Sequence, residues 1–436
     1  MTDGLLADPY LSYAYAYPHK TAYRPLEPAL PLEGLWRTER REALFLYFHV
    51  PFCEMRCGYC NLFAAARPRQ ELVAAYLAAL QRQAAAVRAA LGTASFARMA
   101  IGGGTPTCLD LAGLDMLFDL AERVFGVAPG QVPLSVETSP ATATPERLAL
   151  LHARGVTRIS IGVQSFIEAE VRAAGRAQRA AEVAAALDRL RTVGFPVLNI
   201  DLIYGLPGQS VATWLASLET ALRWAPEELY LYPLYVRSLT ALDRQRRGEA
   251  DVRLDCYRAG RDFLLAHGYR QISMRLFRAA RLPDDKGPAY CCQEDGMIGL
   301  GCGARSYTRS VHYSSEYAVG RAGIAAILRD FVRRPAERFA VADFGFVLDA
   351  EDRRRRYAIK SILHGEGLDL GAYRALFVSE ARDDLPALRD LEAHGLAECR
   401  SERLHLTAAG LELSDAIGPW LYSGRVKKLM GEYVHK

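Results

Sequence analysis

HVPFCEMRCGYCNLF, residues 49–63, is the stretch on which the reading of the chain turns. It sets Cys53, Cys57 and Cys60 within eight residues and then stops at three. Asn61 follows, and the next 30 residues hold no further Cys or His. A structural zinc ion asks for four protein ligands, and His49, four residues before Cys53, is the one local candidate to complete such a set. An iron–sulfur cluster usually takes four cysteines, so three leave one iron open to bind something else. Thiolates suit that soft metal. On the residues alone, both a zinc knuckle and a cluster with an open iron stand.

The rest of the composition narrows the class. The chain has 436 residues, half of them hydrophobic and 24% charged, which is ample for a large core and for more than one domain. A net charge of +4 is mild at this length and argues for neither a nucleic acid nor a membrane surface as partner. The tetrad Arg353–Arg356 follows "DAED", mixed signs that read as a solvated helix start. No run of 18 apolar residues exists, so no membrane-spanning helix is expected. The first residues lack a basic segment followed by an apolar one, so no secretory signal is expected. Nine cysteines, an odd number spread thinly, do not make a disulfide scaffold. A reducing cytoplasm fits better, where clustered cysteines serve as ligands or catalysts.

Working outward from residue 49, apolar strands alternate with helical patterns. The strands are "LFLYFHV" (44–50), "RMAIGGG" (98–104), "LSVETSP" (134–140), "RISIGVQSF" (158–166), "PVLNIDLIYGLPG" (196–208) and "ELYLYPLYV" (228–236). Between them lie helices over 70–91, 111–125, 144–155 (Thr144 as N-cap, Pro145 at the first helical position), 179–193 and 210–224. Six βα units in a row predict an α/β fold with a parallel sheet, closed or partly closed as a barrel. Chemistry-bearing residues recur at the strand C-terminal ends: Cys53, Gly102–Thr105, Glu137, Gln164 and Asp201. In barrel enzymes that face carries the active site. The predicted divisions are an arm (1–43), the barrel (44–245), an extension with substrate-side loops (246–330) and a C-terminal helical domain (331–436). Within the extension, "RQISMRLF" (270–277) predicts one more strand. "YCCQEDGMIGLGCGARSYT" (290–308) predicts a loop across the barrel mouth. The tail reads helix, turn, short hairpin, helix, a winged-helix-like pattern whose recognition segment is too poor in Lys and Arg for DNA.

The spacing C-x3-C-x2-C with an aromatic residue before the last Cys resembles the signature of radical S-adenosylmethionine (SAM) enzymes. The stretches "LYFHVPFC", "GGGTPT", "VETSP", "RISIGVQSF", "NIDLIYGLPGQ" and "LTAAGLELSDAI" resemble, in order, one branch of them: the oxygen-independent coproporphyrinogen III oxidase-like enzymes. The resemblance implies a partial (β/α)6 barrel with a small C-terminal helical domain. It implies a [4Fe-4S] cluster on Cys53, Cys57 and Cys60, with SAM chelated at the open iron; some members hold a second SAM. It also assigns SAM contacts: Tyr47 on the first strand, Tyr59 against the adenine, Gly102, Gly103, Gly104 and Thr105 at the amino group, and Glu137, Gln164 and Asp201 at the other strand ends. Arg176 becomes a partner for the SAM carboxylate through paired N–H donors. By the same resemblance the partners are a small-molecule substrate, in this branch a tetrapyrrole, and a reductant such as flavodoxin or ferredoxin. The rival readings are a two-SAM methyltransferase or cyclopropanating enzyme, and a haem-binding chaperone.

The chain departs from the branch in places. Coproporphyrinogen oxidases carry a further cysteine just after the third ligand, where this chain reads "CNLF", and Gln178 stands where relatives often carry His. The segment holding Cys291, Cys292 and Cys302 differs from both oxidases and chaperones. Those thiols are either core residues or ligands for a second metal or haem. Met274 and Arg275 are candidates for substrate-side contacts. Tyr17, His19, Lys20, Tyr23 and Arg24 of the arm are candidates to close over an acidic substrate.

Overall fold

The computed structural model describes residues 2–244, 251–283 and 295–434, without the side chains of residues 2, 3, 6 and 244. Its frame is a 13-stranded sheet. In chain order the strands are β1 (Arg24–Pro31), β2 (Leu44–Val50), β3 (Phe96–Gly103), β4 (Leu134–Thr138), β5 (Arg158–Gln164), β6 (Val197–Tyr204), β7 (Glu228–Pro233), β8 (Tyr269–Gln271), β9 (Leu276–Ala279), β10 (Met297–Leu300), β11 (Arg305–Tyr307), β12 (Val311–Ser314) and β13 (Val341–Val347). The six expected strands, β2 to β7, lie side by side and parallel. Helices α1 (Gln70–Leu91), α2 (Leu111–Asp119), α3 (Pro145–Ala153), α4 (Ala180–Val193) and α5 (Val211–Leu222) alternate with them, followed by α6 (Arg253–Ala266), α7 (Arg321–Arg333) and α8 (Ala350–Ile362).

The local reasons are ordinary. Thr144 caps α3 by accepting from the Arg147 N–H, and Ser210 with Thr213 forms a capping box on α5. Along β2 the side chains alternate. Leu44, Leu46, Phe48 and Val50 enter the core, while Phe45, Tyr47 and His49 face the interior of the barrel. The same alternation turns Glu137 of β4, Ser160, Gly162 and Gln164 of β5, and Asp201 and Ile203 of β6 inward.

The extension differs from its reading. Residues 295–308 are not a loop across the mouth. β10 adds a seventh parallel strand beside β2, and β11 returns antiparallel to it. Gly299 permits this: a Cβ there would fall inside contact with the Arg305 backbone of the neighbouring strand. "RQISMRLF" forms two short antiparallel strands, β8 and β9, with β9 on the β7 edge. From β11 the sheet runs through β12 and β13 to β1, so the arm supplies the outermost strand. Cys291 and Cys292 lie outside the described residues.

The C-terminal part carries β14 (Leu368–Asp369), α9 (Leu370–Phe377), α10 (Ala387–Ala393), the hairpin β15 (Ala397–Arg400) and β16 (Arg403–Leu406), then α11 (Ser414–Trp420) and α12 (Gly424–Gly431). This is the helix, hairpin, helix order expected of it. Its core takes in Leu5, Ala14, Tyr17 and Tyr23 of the arm, whereas Tyr10, Leu32 and Trp36 of the arm enter the core of the barrel. Arg356 of the "RRRR" tetrad is not solvated as expected. It is buried in α8, and its guanidinium donates to the Thr308 carbonyl at 3.0 Å.

Candidate active site

A cavity of about 1610 Å³ opens at the C-terminal ends of the parallel strands. Its floor is the cysteine loop and the strand ends; its roof comes from the arm, from β11 and β12, and from α11 and α12.

Backbone hydrogen bonds fix the loop on the floor. The N–H of Gly104 donates to Val50 O at 2.8 Å, and that of Thr105 to Phe52 O at 2.7 Å. Beyond the third cysteine, the N–H of Ala65 returns to Pro51 O and that of Arg67 to Cys53 O, both at 2.8 Å. Gly58 N–H donates to Ala174 O at 3.0 Å, and Gly58 O accepts from Leu242 N–H at 3.1 Å. Cys53, Cys57 and Cys60 all line the cavity. Thr105 Oγ1 reaches Cys53 Sγ at 3.6 Å, and Arg176 Nη1 reaches Cys57 Sγ at 3.3 Å. Burial pushes the Cys53 thiol up to about 12 and raises that of Cys60. A bound metal centre would reverse that preference, since a coordinating thiol is deprotonated.

His49 is not free to join them. Its Nε2–H donates to the Phe63 carbonyl at 3.2 Å, which leaves Nδ1 to accept from the Tyr47 hydroxyl at 3.1 Å. Burial holds it neutral, with its pKa lowered to about 4. The ring lies where glycine alone leaves space: a Cβ on Gly103 would stand 2.7 Å from His49 Cε1, and one on Gly303 2.8 Å from Nε2. Its role is to buttress the loop, and the zinc reading loses its fourth ligand. Among the described residues, no three His, Cys, Asp or Glu side chains converge on a single-ion site.

Gly102, Gly103, Gly104 and Thr105 form a cradle beside the thiols. A Cβ on Gly104 would press on the Phe52 carbonyl and stand 2.9 Å from Cys53 Sγ, and one on Gly102 would stand 2.8 Å from Glu137 Oε1. Glu137 accepts from the Gly103 N–H at 3.0 Å. Protein surrounds it, yet its carboxylate keeps a large accessible face, because that face looks into the cavity. Burial raises its pKa to about 7. Asp201 is raised to about 6, again by burial, and accepts from Asn199 Nδ2 at 2.7 Å and from the Ser160 hydroxyl at 3.1 Å. Gln164 ends β5 with a left-handed φ of 74° and lines the same floor. Arg176, besides Cys57, donates to Gly162 O at 2.7 Å and to Gln178 Oε1 at 2.8 Å. Tyr59 packs beside Ala174, Ile203, Leu206, Leu234 and Leu242. Every strand-end residue singled out in the sequence, from Tyr47 to Asp201, is thus gathered at this cavity or, for Gly102, directly behind it. The donor set fits an iron–sulfur cluster with a small ligand beside it: three thiols on one fixed loop, with a glycine cradle and carboxylates alongside.

The roof holds residues the sequence did not single out. Arg305 binds the Tyr15 hydroxyl and lies 4.5 Å from that ring's centroid. Arg237 donates to Leu11 O at 3.2 Å. Lys20 stands over the Tyr317 ring at 3.4 Å, and burial plus the Arg305 and Arg237 cations push its pKa well down. His312 is 1% exposed, and neither of its ring nitrogens has a hydrogen-bond partner among the described residues. No local pattern marks Arg237, Arg305 or His312; only the fold brings them to the arm. Of the arm residues singled out, Tyr17, His19 and Lys20 line the cavity, whereas Tyr23 is core and Arg24 turns to the Leu429 carbonyl at 2.6 Å. Met274 is core. Arg275 forms a buried ion pair with Asp415, which also receives the Tyr235 hydroxyl, and the Tyr13 ring covers it at 3.7 Å. That pair ties the roof together rather than facing a ligand. Cys302 is a core thiol, fully buried and 3.9 Å from Ser315 Oγ.

The sequence profile of the radical SAM superfamily matches residues 47–221. The chain belongs to that superfamily, whose members take a [4Fe-4S] cluster, SAM and a reductant. Within it, the chain belongs to the branch of oxygen-independent coproporphyrinogen III oxidases and their relatives. It is 30% identical to the oxygen-independent coproporphyrinogen III oxidase of Bradyrhizobium diazoefficiens, over 82% of each chain. It is as similar to the heme chaperone HemW of Mycobacterium tuberculosis, 30% identical over 85% of this chain and 93% of that one. The solved coproporphyrinogen III oxidase (HemN) of Escherichia coli shares the fold, with a TM-score of 0.79 and 24% identity, over 94% of this chain and 97% of that one. Among the described residues, no helix is long and apolar enough to cross a membrane.

Proposed function

We propose that Cys53, Cys57 and Cys60 hold the cluster and that Tyr59, the Gly102–Thr105 cradle, Glu137, Gln164, Arg176 and Asp201 bind SAM beside it. On this reading the chain is an enzyme acting on an acidic tetrapyrrole, as coproporphyrinogen oxidases do. The observation that carries this reading is the convergence of three fixed thiols and four separate strand ends on one covered cavity. When bound, the cluster supplies the electron that splits SAM, giving a 5′-deoxyadenosyl radical able to take a hydrogen atom from the substrate.

The chain's own residues do the rest. Glu137 and Asp201, held by the Gly103 N–H and by Asn199 and Ser160, offer acceptors for hydroxyl or ammonium groups. Arg176, anchored on Gly162 O, offers a cation at the cysteine loop. The aromatic roof keeps water from a reactive radical. Arg237 and Arg305 place positive charge where carboxylates of a substrate would lie.

The likeness to HemW favours a second reading, a haem chaperone, and the absence of a cysteine directly after Cys60 agrees with it. Anaerobic incubation of the reconstituted protein with SAM, dithionite and coproporphyrinogen III decides between them. The oxidase reading expects propionate groups converted to vinyl groups with loss of carbon dioxide. Unchanged substrate, together with stoichiometric retention of added haem, would give the chaperone reading the better claim.

A further inference from the structure

The cluster site must receive electrons from outside, and the outer face of the cysteine loop carries a distinct arrangement. The chain returns along the loop so that Ala66 pairs with Cys53, and the Arg67 N–H donates to the Cys53 carbonyl at 2.8 Å. Cys53 therefore lies one hydrogen bond beneath an exposed arginine. Arg67 folds back to Glu54 O at 3.3 Å, and Arg69, also exposed, starts α1. On the flank, Arg56 donates to the carbonyls of Cys60 (3.5 Å) and Val319, and exposed Arg321 opens α7 two residues further on. Arginines elsewhere are commonly matched with acids: Arg154 faces Asp115, Asp119 and Glu122, and Arg382 faces Glu392. Arg67, Arg69 and Arg321 face no carboxylate within ion-pair distance among the described residues. Glu71 and Glu316 are the nearby exposed acids in sequence, which leaves the face positive.

We propose that this basic face, with Arg67 and Arg69 at its centre and Arg321 on its flank, is the docking surface for a small acidic one-electron carrier protein, and that electrons enter through the Arg67–Cys53 contact. The inference rests on the cluster assignment made above. Unmatched guanidiniums over a redox site would speed the encounter with an acidic partner and orient it, a contribution that salt screens. A one-electron carrier balances the step: it is oxidised by one electron as the cluster is reduced by one, with no proton or group transferred.

The test uses the full-length reconstituted protein and two electron sources, dithionite and a reduced acidic flavodoxin. Bleaching of the cluster's visible absorption is followed in the parent, in Arg67→Glu/Arg69→Glu and in Arg321→Glu, with iron and sulfide content measured for each. The double variant is expected to keep its cluster and its dithionite rate. Its flavodoxin rate should fall by about tenfold at low ionic strength, with the gap closing at high salt. Arg321→Glu should show a smaller loss of the same kind. An unchanged flavodoxin rate in the double variant overturns the docking surface, and so does a loss that is equal with dithionite. A parent that binds no iron would instead sink the cluster assignment. A parent whose cluster is reduced without SAM cleavage would sink the enzymatic reading alone, leaving the docking result standing.

Discussion

The floor and the roof of the cavity are built on opposite principles. The floor is local and backbone-bound: residues 51–67 leave β2, fold over Gly104 and Thr105, and return to Pro51 and Cys53, so that geometry is set by main-chain hydrogen bonds and by glycines. The roof is remote and bound by side chains: Tyr13, Tyr235, Arg275 and Asp415 meet from four segments around a buried ion pair. A floor made this way holds its ligands fixed whatever covers it. A roof made this way depends on contacts between segments far apart in the chain.

The largest effect is expected on the floor. Cys60→Ser should abolish cluster binding, read as iron content and visible absorption, while leaving the unfolding midpoint of the metal-free protein nearly unchanged. The roof should behave the other way. Asp415→Ala leaves the Arg275 guanidinium, 3% exposed, without its partner, and loss of one partner of a buried pair costs about 3–5 kcal/mol. Urea unfolding should show that loss, with iron content per folded molecule preserved. If Asp415→Ala emptied the cluster site in protein that is still folded, the separation of floor from roof would be wrong.

Two smaller tests sharpen the picture of the floor. Gly103→Ala puts a Cβ 2.7 Å from the His49 ring at a φ of 120°, and strain of this kind costs about 1–3 kcal/mol. The loop should loosen, visible as weaker iron retention against a chelator. Glu137→Gln addresses pH. The folded protein raises this carboxyl to about 7, so its share of stability is full below the unfolded value of 4.5 and is lost as pH rises through 7. Because the carboxylate faces an open cavity, the loss is about 1 kcal/mol rather than the full shift. In the metal-free protein, Glu137→Gln should flatten the fall in stability between pH 4.5 and 8.

The contrast also explains what the sequence made legible. Period-2 strands, a threonine cap on α3 and the C-x3-C-x2-C run are short-range signals, so the barrel, its floor and the helical tail could be read residue by residue. The seventh parallel strand could not: β10 is four residues long, flanked by Gly296 and Gly301, and defined by its pairing with β2, some 250 positions away. Arg305 and His312 went unnoticed for the same reason, since their meaning comes from Tyr15, Lys20 and Arg356, none of them a sequence neighbour. Arg356 looked solvated because four consecutive arginines usually are; the turn of α8 that faces Thr308 buries one of them.

The most direct test of the central claim is SAM cleavage itself. The protein would be reconstituted anaerobically with iron and sulfide and given dithionite and SAM. 5′-Deoxyadenosine, methylthioadenosine and S-adenosylhomocysteine would then be quantified by mass spectrometry, with Cys57→Ala as control. Formation of 5′-deoxyadenosine by the parent and not by Cys57→Ala is the expected result. An iron-loaded parent that yields none of it, or a Cys57→Ala variant that yields as much, would contradict the account.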